Sequence, residues 1–443
     1  MDVGITEKTN QLESIKLAIS NAILRPKYGR VIEVQGPVIR AAFDGAKMGD
    51  LCKVTKAASG HCVLCQVIAL RDDVATLSPF GDAVGFQIGD IIQPSNEPMR
   101  VACGTAILGR VLDGLGQPLD GIALPPNVET RLVKSPAPPA LKRPIINAAF
   151  YTGLKCIDGL VTLGKGQRIG VFGAPGTGKS SLLAAITKHC DADIIVIGIV
   201  GERGREVREF LEHHLPKEKR SRVVVVAATS DKSAMERVNS AHIATSLAEG
   251  FRDQGASVLL LIDSLTRVAR ALREVGLAAG EAPTRRGYPA SVYSALPELI
   301  ERAGNSANGT MTAIYSILVE GDGQNDPIAE ETKSLTDGHL VLSQDLAEAG
   351  QFPAIDPVQS LSRVMHSVTT PDHQALSEEV RALMARYREI EILLQVGEYK
   401  AGGDPLADKA VSKIGEIREF LRQKSDETQS FEQTLEKLRQ LVS

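Results

Sequence analysis

The 443-residue chain has no tryptophan, few other aromatic residues and no excess of basic charge. Its formal net charge of −4 argues against wholesale binding of nucleic acid, because proteins that bind a phosphate backbone usually carry a basic excess. No apolar run approaches the ~18 residues that a membrane-spanning helix needs, and the first residues do not resemble a secretory signal. We therefore expect a soluble, cytoplasmic protein.

Cysteine is also scarce, with six residues and no dense spacing, which indicates a reducing compartment rather than a disulfide framework. Cys62 and Cys65 do form a C-x-x-C pair. The run around them is typical of a strand, and residues three apart on a strand point to opposite faces. We therefore expect plain core cysteines rather than a metal site or a redox pair.

What is present is typical of a globular protein, with 43% apolar and 23% charged residues. At roughly 100 to 200 residues per domain the length implies about two to four domains. Residues 1–26 contain Leu12, Ile15 and Ile19 at helical spacing, which predicts an amphipathic helix. This helical segment either docks on a partner subunit or a membrane surface, or packs on its own domain.

The remaining chain shows three patterns, which predict an α/β protein with flanking domains. Residues 27–95 form short β-rich runs between Gly, Pro and Asp, as in a small antiparallel barrel. Residues 96–365 alternate helical stretches with apolar runs, which indicates a parallel sheet buried on both faces. Residues 366–443 are charged helical repeats. The apolar runs are Arg168–Phe172, Ile194–Val200, Val223–Ala228, Val258–Ile262 and Met311–Val319.

Residues 173–180, Gly-Ala-Pro-Gly-Thr-Gly-Lys-Ser, form a complete phosphate-binding loop between a predicted strand and a predicted helix. Its glycines let backbone N–H groups turn towards phosphate oxygens, and the helix directs its positive end at them. Lys179 adds charge towards the β and γ phosphates, while the Ser180 hydroxyl suits Mg²⁺. The chain is therefore predicted to hydrolyse Mg²⁺-ATP. The predicted nucleotide contacts are Gly173, Gly176, Thr177, Gly178, Lys179, Ser180 and Ser181.

Two carboxylates follow apolar strands and are expected at the ligand-binding edge of the sheet. Asp263 ends one run and suits a water ligand of Mg²⁺; the alternative is a cap on the next helix. Glu202 follows another run and is placed to orient the attacking water. Glu206 and Glu209 compete for that role, although Glu206 is expected to face solvent or to pair with an arginine on its own helix.

Nine segments resemble the type III secretion ATPases, which are relatives of the flagellar export ATPase and of the catalytic subunit of rotary ATP synthases. The resemblance covers about residues 27 to 425 and implies a RecA-like core. The segments are 109–118, 201–210, 263–270, 284–293, 326–332, 335–339, 352–356, 362–365 and 397–405.

The resemblance implies a role for each of five further positions. Glu202 is the catalytic carboxylate, and Arg203 lies beside it near the phosphates. Arg363 matches the arginine that each subunit lends to its neighbour's ATP, where it stabilises charge on the transferring group. Without the family, an ion pair within the chain is the simpler interpretation of Arg363. Phe352 and Tyr399 match the pair that sandwiches adenine, with core packing as the alternative.

The resemblance also implies partners and a location. The expected assembly is a homohexamer at the inner-membrane base of the secretion apparatus, with Arg285 and Arg286 lining its pore. Its expected partners are a central coiled-coil stalk, a peripheral stator, effector–chaperone complexes and the membrane export gate, and not nucleic acid. The expected role is to release and unfold chaperone-bound cargo.

Three alternative functions remain open on the sequence. They are a flagellar export ATPase, a rotary synthase catalytic subunit and an RNA-driven hexameric translocase. The stretches Thr284-Arg-Arg-Gly-Tyr and Val319-Glu-Gly-Asp favour the injection apparatus over the flagellum.

Overall fold

The computed structural model describes residues 28–442, apart from residues 58, 96, 216 and 320–325. The predicted segment 1–26 and the Glu-Gly-Asp part of the 319–322 stretch lie outside the described residues. The chain divides after Pro98 into two compact units. The finer division into four domains stays a prediction.

The first unit is a closed antiparallel barrel of six strands in the order β1-β2-β5-β4-β3-β6, which confirms the predicted barrel. Alternate side chains fill its interior, and Ile39, Val54 and Leu77 are fully buried. A closed barrel leaves no strand edge unpaired. The strands are β1 Gly29–Gln35, β2 Val38–Ala42, β3 Leu51–Thr55, β4 Cys62–Arg71, β5 Val74–Pro79 and β6 Ile91–Pro94.

The C-x-x-C pair lies on β4, with its two thiols on opposite faces as predicted. Cys65 is buried opposite Cys52, and burial raises the pKa of the Cys52 thiol to about 12. The prediction that both cysteines belong to the core was wrong for Cys62, which is exposed at the start of the strand. Its sulfur lies 3.2 Å from the Thr55 hydroxyl. No group of metal-ligating side chains was found among the described residues.

The second unit is built on an eight-stranded sheet in the order β18-β17-β12-β16-β15-β13-β14-β8. Neighbouring strands are parallel except for β18, which is antiparallel to β17. The five predicted apolar runs are five of these strands. The strands of this unit are β7 Arg100–Ala102, β8 Val111–Leu112, β9 Thr130–Leu132, β10 Ala149–Phe150, β11 Leu163–Gly164, β12 Arg168–Gly173, β13 Ile194–Val200, β14 Val223–Ala228, β15 Ser257–Asp263, β16 Thr310–Leu318, β17 Gly338–Val341 and β18 Leu361–Ser362.

Helices cover both faces of the sheet, so its strands are continuously apolar. All six residues of β14, for example, are buried. The helices that connect and cover the strands are α1 Lys155–Leu160, α2 Lys179–His189, α3 Gly204–Glu209, α4 Ala234–Asp253, α5 Leu265–Ala278, α6 Ala290–Ile300, α7 Pro327–Leu335, α8 Gln344–Glu348 and α9 Met365–Val368. None of the described helices is long and apolar enough to cross a membrane.

The chain ends in three helices, α10 Pro371–Gln395, α11 Pro405–Leu421 and α12 Phe431–Val442, as the charged repeats predicted. Two of them begin with a capping side chain followed by proline. Thr370 accepts a hydrogen bond from the backbone of His373, and Asp404 accepts from Leu406 and Ala407. All three helices pack against α1.

A buried ion pair joins α4 to the segment after α6. The Arg302 guanidinium donates to both carboxylate oxygens of Glu249, at 2.8 and 2.7 Å, and both residues are almost fully buried. The Ser135 hydroxyl donates to the same carboxylate at 2.9 Å. The predicted proline-rich connector, to which Ser135 belongs, is therefore fixed to the core through this pair.

We expect Glu249→Ala to lower the free energy of unfolding by about 3–5 kcal/mol, because it leaves the Arg302 charge buried without its partner. Urea denaturation measures this change. Glu378→Ala, on the exposed face of α10, is the control and should change stability by less than about 0.5 kcal/mol. A loss below about 1 kcal/mol for Glu249→Ala would show that the pair contributes little.

Candidate active site

The phosphate loop connects the carboxyl end of β12 to the start of α2, as predicted. Gly176 and Gly178 have φ values of 85° and 86°, in the left-handed region that favours glycine. The Thr177 hydroxyl donates to the Ala174 carbonyl at 2.8 Å and closes the turn. A Cβ on Gly173 would lie 2.7 Å from the Thr177 hydroxyl oxygen, so the compact loop requires glycine there.

Lys179 is the first residue of α2, and its ammonium group lies over the loop. Its Nζ donates to the Gly173 carbonyl at 2.7 Å and more weakly to the Ala174 carbonyl at 3.3 Å. Burial lowers the pKa of Lys179 to about 8, while the nearby carboxylates of Asp263 and Glu202 oppose this shift. These three charged side chains are therefore brought into one site.

Asp263 stands at the carboxyl end of β15, where the sequence predicted it. It accepts a hydrogen bond from the Ser316 hydroxyl on the neighbouring strand β16. It does not cap α5, whose N-cap residue is Ser264. Asp263 and Ser180 line one cavity, and a hydroxyl and a carboxylate are the oxygen donors that suit Mg²⁺. The residues present therefore fit the predicted metal.

Glu202 lies two residues beyond the end of β13, and Arg267 holds its carboxylate. The Arg267 guanidinium donates to Glu202 at 2.8 Å and to the Gly201 carbonyl at 2.6 Å. Glu202 also shares a hydrogen bond with the carboxyl group of Glu206. Burial and this bond raise the pKa of Glu202 to about 7, and the charge of Arg267 opposes the rise.

Glu206 pairs with arginines as predicted, at 3.8 Å from Arg203 and 3.7 Å from Arg205. The sequence did not predict that its carboxyl group would also reach Glu202. The bond to Glu202 lowers the pKa of Glu206, so the pair retains its proton on Glu202. The side chain of Arg203 itself is 69% exposed, and its predicted position near the phosphates stays a prediction.

A cavity of about 170 Å³ opens between these groups. Ser180, Glu202, Glu206 and Asp263 form the polar part nearest the phosphate loop, and apolar side chains from α2, β13 and β15 form much of the remaining wall. The other lining residues are Leu183, Ile197, Ile199, Glu209, Phe210, His214 and Leu261. An apolar surround of this kind excludes water from the Glu202 carboxyl group, which accounts for its raised pKa.

A second pocket lies on the other side of the phosphate loop. The Phe352 ring, 47% exposed, stands beside Gly178, where a Cβ would lie 3.4 Å from the ring. Gln423, Lys424 and Ser425 also line this pocket. The alternative that Phe352 packs in the protein core does not agree with its exposure. An exposed aromatic ring beside a phosphate loop is instead suited to stacking on a nucleotide base.

Tyr399, the predicted second aromatic wall, is not among the residues that line the Phe352 pocket. Its hydroxyl donates to Asp408 of α11 at 2.6 Å, which raises the pKa of Tyr399 to about 12. The structure therefore brings Phe352 to the phosphate loop but does not bring Tyr399 there. The segment after α11 takes the place that the sequence assigned to Tyr399.

Arg363 follows β18 at the end of the sheet opposite the phosphate loop. Its backbone N–H donates to Asp337, whose carboxylate accepts from Arg168, the first residue of β12. The loop begins at the other end of β12, about 17 Å away at ~3.3 Å per residue. The exposed guanidinium donates to the Lys333 carbonyl at 3.4 Å and forms no ion pair within the described chain.

Sequence reasoning missed three residues of the site. Arg267 could have been found, because it is the third residue of α5 and therefore lies close to the strand end that carries Asp263. Ser316 had no sequence signal, because its contact with Asp263 depends on the pairing of β15 with β16. Gln423 had no sequence signal either, since it contacts Phe352 from a distant segment of the chain.

A phosphate loop at the carboxyl edge of a parallel sheet, with two strand-terminal carboxylates beside its lysine, defines a P-loop nucleoside triphosphatase. Residues 153–362 match the nucleotide-binding domain of the ATP synthase alpha/beta family, and residues 369–440 match the C-terminal domain of the type III secretion ATPase EscN.

Individual relatives match over almost the whole chain. The type 3 secretion system ATPase of Sinorhizobium fredii is 48% identical, over 94% of this chain and 92% of its own. The flagellum-specific ATP synthase of Bacillus subtilis is 42% identical, over 94% of this chain and 95% of its own. The assembled ATPase EscN of enteropathogenic E. coli superposes with a TM-score of 0.89 at 44% identity, over 94% of this chain and 100% of that one.

A second EscN structure, in complex with its central stalk EscO, gives a TM-score of 0.86 at 42% identity, over 94% of this chain and 100% of that one. The chain belongs to the type III secretion ATPase family. It is therefore an ATP-hydrolysing enzyme, as its phosphate loop predicted.

We expect kcat for ATP hydrolysis to rise with pH through about pH 7, because only the ionised form of Glu202 accepts a proton from water. Glu206→Gln removes a negative charge and should move the midpoint to lower pH. Arg267→Gln removes a positive charge and should move it to higher pH. Measurements of kcat between about pH 6 and 9 test both directions. Shifts of the same sign would contradict this account of the Glu202 pKa.

Proposed function

We propose that this chain forms a homohexameric ring that hydrolyses ATP at the interfaces between its subunits. The observation that carries the proposal is the position of Arg363. It lies about a strand length, roughly 17 Å, from the phosphate loop of its own chain, which is beyond the reach of an arginine side chain. A subunit that lends this arginine to its neighbour therefore needs a heterologous interface, which forms a ring when the rotation between subunits closes.

Each group of the site has a proposed role. Lys179 and the loop N–H groups bind the β and γ phosphates, and Glu202 orients the attacking water and accepts its proton. Ser180 and Asp263 hold Mg²⁺, which supplies neutralisation of the phosphate charge. Arg363 of the adjacent subunit stabilises charge on the transferring phosphoryl group. Phe352 stacks on the base.

In the cell, we propose, the ring acts at the cytoplasmic base of a type III secretion apparatus, where it releases and unfolds chaperone-bound cargo. The solved complex of EscN with its central stalk supports a stalk partner for this chain as well. Arg285 and Arg286 are the residues proposed to face that partner: Arg286 lies exposed at a φ of 50°, while Arg285 pairs with Glu330. The stator, the cargo complexes and the export gate belong to the same proposal.

The flagellar export ATPase is the second candidate, because a flagellar relative covers the same share of the chain. Its lower identity than the Sinorhizobium protein favours the injection apparatus. An RNA-driven translocase predicts ATPase activity that rises on adding RNA at low salt. We expect stimulation by a coiled-coil stalk protein and none by RNA.

Mixing two inactive variants tests the shared site. We expect Lys179→Ala and Arg363→Ala each to lose turnover while the ring still forms. In a randomly mixed ring, about a quarter of the interfaces join an intact loop to an intact arginine, so about a quarter of the activity should return. Steady-state hydrolysis of the mixture, corrected for hexamer content by sedimentation, measures this recovery.

Lys179→Ala mixed with Glu202→Gln is the matched control. Both changes lie on the same side of the interface, so no complete site forms and no activity should return. Arg439→Ala, an exposed arginine of α12, should keep normal turnover. Normal hydrolysis by Arg363→Ala alone, or no recovery in the first mixture, would contradict the shared site.

Loss of secretion tests the cellular role. A strain that carries Lys179→Ala should make the protein and assemble the apparatus but export no effector, because phosphate binding is lost. Measuring effectors and flagellar proteins in the culture medium separates the two candidates. Loss of flagellar filament with effectors still exported would favour the flagellar role.

A further inference from the structure

Gln423 is a buried polar residue in the connector between α11 and α12. Its side chain is only 7% exposed, although glutamine usually lies at the surface. The connector residues Gln423 to Ser425 line the same pocket as Phe352 and Gly178. A polar side chain buried in such a place is retained by its hydrogen bonds, and those bonds define what it does.

Gln423 joins three separate segments of the chain. Its backbone N–H donates to the Phe352 carbonyl at 3.0 Å. Its side-chain oxygen accepts from the Lys155 N–H at 2.9 Å, and its side-chain nitrogen donates to the carbonyls of Gly153 and Glu427 at 2.8 and 3.0 Å. The Phe352 segment, the start of α1 and the connector are therefore fixed to one another.

These bonds occupy both N–H groups of the Gln423 amide, which leaves no donor for the edge of a base. The next part of the connector is fixed as well, because the His189 ring lies 3.1 Å from the Ser425 carbonyl. Gln423 is therefore suited to positioning the connector side of the pocket rather than to contacting a ligand.

We propose that Gln423 is a positioning residue for the nucleotide base. Its side-chain amide fixes the connector to the start of α1, while its backbone N–H holds the connector beside Phe352, so that the base enters a preformed slot and less conformational entropy is lost on binding. The proposal rests on the base site at Phe352 proposed above. Because Gln423 follows the last turn of α11, it also ties the C-terminal helices to that slot.

Two substitutions test the proposal. Gln423→Met keeps the approximate volume of the side chain but removes the hydrogen bonds of its amide group. Gln423→Ala removes the side-chain volume as well as these hydrogen bonds. We expect Gln423→Met to raise the KM for ATP and the inhibition constant of ADP about tenfold, in line with the loss of one to two buried hydrogen bonds, with kcat little changed. ATP and GTP should be affected alike, because Gln423 does not contact the edge of the base.

Inorganic tripolyphosphate, which has no base, separates positioning from a general structural effect. Its inhibition constant should stay unchanged in Gln423→Met, because it binds the phosphate loop alone. Gln429→Ala is the matched control: this glutamine lies in the same connector, but it is only half-buried, and its side chain bonds to Gln433 and Lys437 of α12 rather than to the pocket or α1. Gln429→Ala should leave all of these constants unchanged. Thermal denaturation and sedimentation show whether each variant folds and assembles.

The outcomes distinguish this inference from the proposed function. An unchanged ADP constant in folded Gln423→Met, or an equal change for tripolyphosphate, would overturn the positioning role. If Phe352→Ala weakens ADP binding but Gln423→Met does not, the base site stands and this inference fails. If Phe352→Ala leaves ADP binding unchanged, the base site itself is wrong.

Discussion

The carboxyl edge of the parallel sheet is the constraint on which the rest of the site depends. Parallel strands end at the same edge, so the residues at or just beyond the ends of β12, β13 and β15 meet although they are far apart in sequence. Lys179, Glu202 and Asp263 are brought together in this way. Burial from water then shifts the pKa values of Lys179 and Glu202 towards neutrality, and neighbouring groups of opposite charge only partly oppose this shift.

Much of this arrangement could be predicted from sequence, because local signals determine it. The apolar runs and the glycines of the phosphate loop specify strands, a turn and a helix start within a few residues. Contacts between distant segments have no such signal. Ser316 bonds to Asp263 only because β15 and β16 are neighbours, and Gln423 rather than Tyr399 lies beside Phe352 because of how the C-terminal helices pack on α1.

The position of Arg363 shows how a fold can make activity depend on assembly. Hydrogen bonds through Asp337 hold it at the amino end of β12, while the phosphate loop lies at the carboxyl end of the same strand. The length of one strand thus separates two groups that the proposed reaction needs together. An isolated subunit with this geometry would bind nucleotide without completing the proposed site, which limits wasteful hydrolysis before the ring forms.

The exposure of Cys62 has a practical consequence for experiments on this protein. The other five cysteines are buried, and burial raises the pKa of the Cys52, Cys65, Cys103, Cys156 and Cys190 thiols, which suppresses their reactive thiolate form. A maleimide dye should therefore attach to the barrel at Cys62 without mutagenesis. Each subunit would then carry one fluorescent reporter in the unit that does not contain the phosphate loop.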